Sequence, residues 1–308
     1  MAKSRYPSVQ DLIWRLEALA FDALSLGLRA LPVDLVSASG GALFRFLGPL
    51  SSAHRVADLN LRLAFPEMGP AQRKRLVASQ WDNVGRLIAE FPLTDRLTTA
   101  SGRVEIVGSE HLDAVVSSGR PAIYISGHIS NWEISVQAPL STGLPCEMTY
   151  REANNPYIDA RIKLSRARHG VRLFAPKGGE GARRLLAALN RGVSVAMLND
   201  QKYDEGVAAP FFGRTVHTLP AAVRLALRFG AVLQPVSVQR LKGARFRCIA
   251  HPPIVLSDTG DRAADILAGV TAINAFIEAC VRERPHEWFW VHRRWPADAY
   301  AELAAQGF

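Results

Sequence analysis

Ala122-Ile123-Tyr124-Ile125-Ser126-Gly127-His128-Ile129-Ser130-Asn131-Trp132-Glu133 is the segment from which the architecture can be read. The apolar run before Gly127 predicts a buried strand over Ala122–Ser126 that carries His128 to its end. Ser130 or Asn131 can cap a helix that follows, so the unit is strand, polar turn, helix. Glu133 comes five residues after the histidine. In one reading its carboxylate lies back against the imidazole, holds one tautomer and raises the basicity of the other nitrogen. That suits general-base removal of a proton from an alcohol near neutral pH. In the other reading His128 merely adjoins a helix cap, and Glu133 is a first-turn carboxylate favoured by the helix dipole.

Outward from this unit the same rhythm repeats. Further strands are expected at Val104–Val107, Glu147–Arg151, Val171–Ala175, Val193–Asn199, Val232–Gln239 and Phe246–Ala250. Helices are expected at Glu110–Ser117, Asn131–Pro139, Tyr157–His169, Glu180–Asn190, Leu219–Phe229 and Asp261–Arg284. Several strands are continuous apolar runs, which implies burial on both faces. The expected fold class is therefore α/β, a mixed, largely parallel central sheet flanked by helices. Chemistry in such sheets gathers beyond the strand C-termini, and His128, Arg151 and Asp200 all occupy such ends.

The N-terminal third differs. From Val9 to Leu31, Asp11, Arg15, Asp22, Ser25 and Arg29 share a narrow arc at helical spacing, and most other positions are Leu, Ile, Ala or Phe. A thin polar stripe on an apolar helix implies burial nearly all round, in protein or at a membrane interface. A second apolar piece runs from Leu35 to Leu50, and helices are also expected over Asp58–Phe65 and Pro70–Phe91. No uncharged stretch reaches the length needed to span a bilayer. The expected division is an apolar interface anchor over 1–52 and one continuous catalytic domain over 53–308.

The 308 residues are 48% hydrophobic and 21% charged, with a net charge of +9. That balance anticipates an acidic partner: nucleic acid, anionic lipid headgroups or phosphorylated substrates. Nucleic acid is disfavoured because the cations spread along the whole chain instead of gathering on one face. Cys146, Cys248 and Cys280 are widely spaced and predict neither a disulfide framework nor a zinc site, which fits a reducing compartment. No secretory signal is read at the N-terminus.

Of the other polar candidates, Arg151 can bind phosphate or a developing oxyanion, or be a plain loop arginine. Asp200-Gln201 follows a buried strand; the carboxylate can bind a hydroxyl, pair with His128 or a basic residue, or cap a turn. Phe211-Phe212-Gly213-Arg214 reads as an aromatic loop leading to a helix capped by Thr218, its rings suited to an acyl channel or to a core. Trp288-Phe289-Trp290-Val291-His292-Arg293-Arg294-Trp295 sets aromatics beside cations, as at a membrane interface or in a packed core. There is no G-x-S-x-G elbow, no second histidine at zinc spacing and no glycine-rich phosphate loop after a strand. Direct, base-assisted transfer without metal, cofactor or covalent intermediate is the chemistry that remains.

Together these segments resemble the late acyltransferases of lipid A biosynthesis, the lauroyl and myristoyl transferases with the H-x4-D/E motif. His128 to Glu133 matches that motif within H-x-x-N-W-E, and Asn60-Leu61 with Leu63-Ala64-Phe65-Pro66 resembles N-L-x-x-x-F-P. Glu90 sits where the family has a glutamate before the sheet. Tyr150-Arg151 with Asn155-Pro156, Asp200-Gln201 with Pro210-Phe211-Phe212-Gly213, and His292-Arg293-Arg294 match three further segments in order. The glycerol-phosphate acyltransferases share the histidine–carboxylate pair, but Gly179-Glu180-Gly181-Ala182-Arg183 is a poor match to their E-G-T-R segment. Two departures stand out. The family usually opens with a clearer transmembrane helix than Val9–Leu31, and Glu287 replaces a frequent glutamine before W-x-W-x-H-R-R.

The resemblance implies transfer of a fatty acyl chain from an acyl-carrier-protein or acyl-CoA thioester to a hydroxyl of a lipid A precursor or related glycolipid. His128 is expected as base and Glu133 as its orienter. Arg151, Asn131, Asp200, Gln201 and Arg214 are expected to bind substrate or oxyanion. Trp132, Phe211 and Phe212 are expected along the acyl channel. The expected setting is the cytoplasmic face of a bacterial inner membrane, against anionic lipid. A lysophospholipid, an aminolipid or a phosphoinositide glycolipid is the alternative acceptor.

Overall fold

Consecutive apolar residues bury best as strands covered on both faces, and these runs become such strands. The computed structural model describes residues 9–150, 152–168, 171, 173–176 and 179–307. Its strands are β1 (Val104–Val107), β2 (Ala122–Ser126), β3 (Cys146–Tyr150), β4 (Leu173–Pro176), β5 (Ser194–Leu198), β6 (Lys202–Phe211), β7 (Arg214–Thr218), β8 (Val232–Arg240) and β9 (Phe246–Ala250). The helices in chain order are α1 (Val9–Arg29), α2 (Val33–Leu47), α3 (Ser52–Ala64), α4 (Pro70–Glu90), α5 (Ser109–Ser117) and α6 (Gln137–Ser141). They continue with α7 (Pro156–Arg168), α8 (Gly179–Asn190), α9 (Ala221–Phe229), α10 (Arg262–Glu283) and α11 (Ala297–Ala305).

Seven strands form one sheet in the order β1-β9-β8-β2-β5-β3-β4. Every neighbouring pair is parallel except β8 and β9, so the mixed, largely parallel sheet read from the sequence is borne out. Strand β2 lies at the centre and is buried along its whole length. Alternation sends Ile123 and Ile125 into one core layer, and Ala122 and Tyr124 into the other. The register of β2 on β5 sets Ser126 opposite Leu198, so the residues two further on, His128 and Asp200, leave the sheet side by side.

Two expectations need correction. The segment after Asn131 is not one helix: a 3-10 turn over Trp132–Val136 precedes the short α6. Lys202–Phe211 and Arg214–Thr218 pair as an antiparallel hairpin, and helix α9 begins only at Ala221. Thr218 is therefore no cap; its hydroxyl donates to Asn274 Oδ1 at 3.1 Å and accepts from Arg294 at 2.6 Å. Helix α10 is by length and composition alone apolar enough to cross a membrane, with a mean hydropathy of 1.6 over its best window, although charged residues interrupt it. It instead buries Ile266, Val270, Ile273, Ile277 and Val281 in the core.

The first helix is inverted relative to a helix on a water-soluble surface. Its polar stripe faces protein. Asp11 accepts from Tyr157 Oη at 2.7 Å, Asp22 from Arg161 at 2.5 and 2.6 Å, and Arg29 donates to Asp95 at 2.6 and 2.8 Å. Its apolar residues face away: Leu12, Ile13, Leu16, Leu19, Leu24 and Leu26 are exposed, and Ala18 alone is buried among the helix's described residues. Leu35, Leu43 and Phe46 on α2, with Leu50 just beyond it, continue this apolar surface.

Helix α2 lies along α4 through a backbone contact that only small residues allow. A Cβ on Gly85 would strike the carbonyl oxygen of Gly40, and one on Gly40 the carbonyl of Gly85. Both obstacles are backbone, so relief requires the helices to separate. Gly85→Ala is expected to destabilise the protein by about 1–3 kcal/mol, the usual cost of overpacking. A shift of the denaturation midpoint checks this, and an unchanged midpoint would show that the crossing has slack.

Candidate active site

Parallel pairing brings together two groups that lie 72 residues apart in the chain. His128 Nδ1 sits 2.6 Å from Asp200 Oδ1, while the backbone N–H of His128 donates to Asp200 Oδ2 at 2.7 Å. The Trp288 indole N–H donates to the same Oδ2 at 2.7 Å. Full burial works to raise the Asp200 carboxyl. The His128 charge, its ring and backbone donors and the Trp288 indole outweigh that effect and lower it to about 2. A carboxylate accepts only, so Nδ1 presents a proton to it, and Nε2 is the nitrogen that can act as base whenever the ring is neutral. Gln201 Nε2 lies 3.3 Å from that second nitrogen.

Close packing at Gly127 permits this approach: a Cβ there would come within 3.2 Å of Asp200 Oδ2. Beyond His128 the chain turns through Ser130, whose φ of 56° is unusual for a residue with a side chain. The turn is tied from outside. Ser130 N–H donates to Glu287 O at 2.8 Å, Phe289 N–H to His128 O at 3.0 Å, and Asn83 Nδ2 to Ser130 O at 3.4 Å. Backbone strain at a site held by this many contacts is characteristic of a functional loop.

Aromatic rings wall the imidazole. Trp132 meets it edge-on at 4.9 Å and Phe289 stacks at 6.3 Å. A cavity of about 10 Å³, room for roughly one water, opens beside His128, Gln201, Lys202, Phe289 and Arg293. The His128 side chain remains 17% exposed.

Glu133 does not reach the histidine as anticipated. Its backbone N–H is capped by Asn131 Oδ1, and its buried carboxylate forms a two-point pair with Arg166 at 2.7 and 3.0 Å. A second buried pair supports the turn: Arg240 grips both oxygens of Glu90 at 2.5 and 3.0 Å. Glu90 Oε2 also accepts from Asn131 Nδ2 at 2.9 Å, and Glu90 Oε1 from Ser37 Oγ at 2.6 Å. Asn131 is thus a buried brace between turn and α4.

The remaining candidates divide. Gln201 and Trp132 stand beside His128. Phe211 and Phe212 are buried among Phe65, Trp288 and Trp295, behind the site. Arg214 is at the surface with Glu302 at 3.2 Å, away from the histidine. Arg151 lies outside the described residues. Glu287 gains a role: it is buried and accepts from Arg284 and, at 3.2 Å, from the Arg240 backbone N–H. Trp288 as an Asp200 donor and the Glu90–Arg240 pair were not anticipated. The crowding of aromatics at 288–295 and Glu90 itself were their only sequence signals.

Comparison with known proteins identifies the family of the chain. The bacterial lipid A biosynthesis acyltransferase family matches residues 14–297. A lipid A biosynthesis lauroyltransferase of Escherichia coli is 26% identical, over 78% of this chain and 78% of its own length. The lipid A biosynthesis myristoyltransferase of the same organism is 26% identical over 80% and 76%. A lipid A biosynthesis acyltransferase of Haemophilus influenzae is 24% identical over 76% and 73%. The matched region includes both ends of the His128–Asp200 pair and the loop that closes over it. The chain therefore belongs to the bacterial lipid A biosynthesis acyltransferases, and its sheet-end histidine lies within an O-acyltransferase.

Proposed function

We propose that this enzyme transfers a fatty acyl group from an acyl-carrier-protein or acyl-CoA thioester directly to a hydroxyl of a lipid A precursor, at the cytoplasmic surface of the inner membrane. The contact of 2.6 Å between His128 Nδ1 and Asp200 carries this reading. With Nδ1 protonated toward Asp200, Nε2 takes the proton of the acceptor hydroxyl as its oxygen attacks the thioester carbonyl. The C–O bond forms, the C–S bond breaks, and the thiolate leaves. A thiol with a pKa near about 8.5 needs little help from an acid. Lys202, paired with Asp204 at 2.5 Å, and Arg293 line the same cavity, and their positive charge would favour the carbonyl oxygen as it becomes anionic.

The outward apolar residues of α1 and α2 support membrane contact, since such a surface is otherwise costly in water. The net charge of +9 favours an acidic carrier as donor. Purified enzyme supplied with acyl-carrier-protein thioester and a hydroxyacylated lipid A precursor is expected to yield a product heavier by one acyl residue in mass spectrometry. Cells lacking the gene are expected to lose one acyloxyacyl chain from lipid A. Unchanged lipid A beside altered phospholipids would overturn the acceptor assignment.

A further inference from the structure

A groove of about 520 Å³ opens on the face formed by α2, α4 and the turn over 284–287, with Arg45, Arg75, Arg240 and Arg284 along it. Two carboxylates share that lining, Asp82 and Glu287. They cancel only part of that positive charge. Glu287 is committed to Arg284, Arg240 to Glu90 behind the wall, and Asp82 to Arg86 at 2.5 Å. Arg45 touches Asp82 only at 3.4 Å, and Arg75 makes no ion pair among the described residues. Both are exposed, and the Ser79 hydroxyl lies on the same wall. The volume is that of a small-molecule site, and guanidinium groups suit the oxygens of a phosphate.

What surrounds the groove selects its occupant. Arg45 lies next in sequence to Phe46, and Leu43, Leu47 and Leu50 are exposed near it. A cationic groove bordered by outward apolar side chains fits a phosphate held at a membrane surface better than an acidic protein in solution. We propose that this groove binds the phosphate of a membrane-embedded lipid, fixing how the enzyme sits on the bilayer. The proposal rests on the membrane contact argued above.

The test compares full-length enzyme with an Arg45→Gln/Arg75→Gln variant on phosphatidylcholine vesicles doped with phosphatidic acid or, at matched surface charge, with oleic acid. Wild type is expected to prefer the phosphate lipid, and the variant to lose about tenfold or more of that affinity and the preference with it. An Arg168→Gln/Arg183→Gln variant removes two exposed cations elsewhere and is expected to keep the preference. Wild type that binds no vesicle overturns the membrane reading itself. Binding without a phosphate preference, or a preference that survives in the groove variant, overturns the groove alone. Titration with inorganic phosphate separates the sources: tight, saturable binding of the free ion would assign the groove to soluble phosphate and overturn the lipid.

Discussion

Asp200→Asn is expected to lower kcat about 10²- to 10⁴-fold while leaving the fold intact. The reason lies in which oxygen has which partners. Asp200 Oδ2 accepts two N–H groups, from the His128 backbone and the Trp288 indole. In asparagine the amide oxygen must take that place, which turns the NH₂ toward His128 Nδ1. The ring then accepts at Nδ1 and carries its proton on Nε2, where it can no longer take one from a hydroxyl. His128→Ala removes the base itself and is expected to cost a similar factor. The double variant should be little worse than either single, because the two residues act as a unit. Turnover followed by product mass, with circular dichroism as the folding control, checks this. Wild-type turnover in Asp200→Asn would overturn the mechanism.

The same carboxylate also predicts an acid limb. Its folded value of about 2 lies below the ordinary 3.8. Its ionisation therefore contributes about 2 kcal/mol of stability that is fully present above pH ~4 and lost as pH falls through ~2. Asp200→Asn should lack this part of the slope in denaturation measured between those values.

The second large effect concerns stability. Glu90→Ala is expected to cost about 3–5 kcal/mol, because it leaves Arg240 buried without its counter-charge. Glu90 is fully buried and Arg240 nearly so, which removes the water that would otherwise compensate. Arg240→Ala should be similarly damaging. Replacing both, as Glu90→Leu/Arg240→Met, is expected to recover most of the loss, since apolar packing often equals a buried pair. Activity should not recover with it, because Asn131 still lacks its Glu90 acceptor and the turn after His128 loses its brace. Denaturant midpoints and kcat measured on the same three variants separate the two effects. A double variant as unstable as the singles would mean that the pair's other contacts, with Ser37 and Asn83, dominate.

Much of the site was legible because parallel sheets put chemistry at strand ends. His128 and Asp200 both lie at such ends, and a pair between them is one reading of the sequence. Glu133 is favoured as orienter by its place five residues from His128 and by the H-x4-D/E motif, whereas Asp200 lies 72 residues away. Closeness in sequence lost because Glu133 enters a 3-10 turn and points to Arg166 on α7. The β6–β7 hairpin was missed for a similar reason. Tyr203, Asp204 and Glu205 are exposed, so the apolar rhythm that marks a buried strand is absent there.

Local patterning by itself determined the order of helices and strands in the main sheet, its two-sided burial and the histidine at a strand end. Those follow from the chemistry of neighbouring residues, which the chain states directly. The partner of His128 was decided by tertiary structure, because hydrogen bonds between β2 and β5 set a register that no short segment contains. The orientation of α1 was decided the same way. Tyr157, Arg161 and Asp95 hold its polar stripe from far along the chain, and that leaves its leucines facing outward.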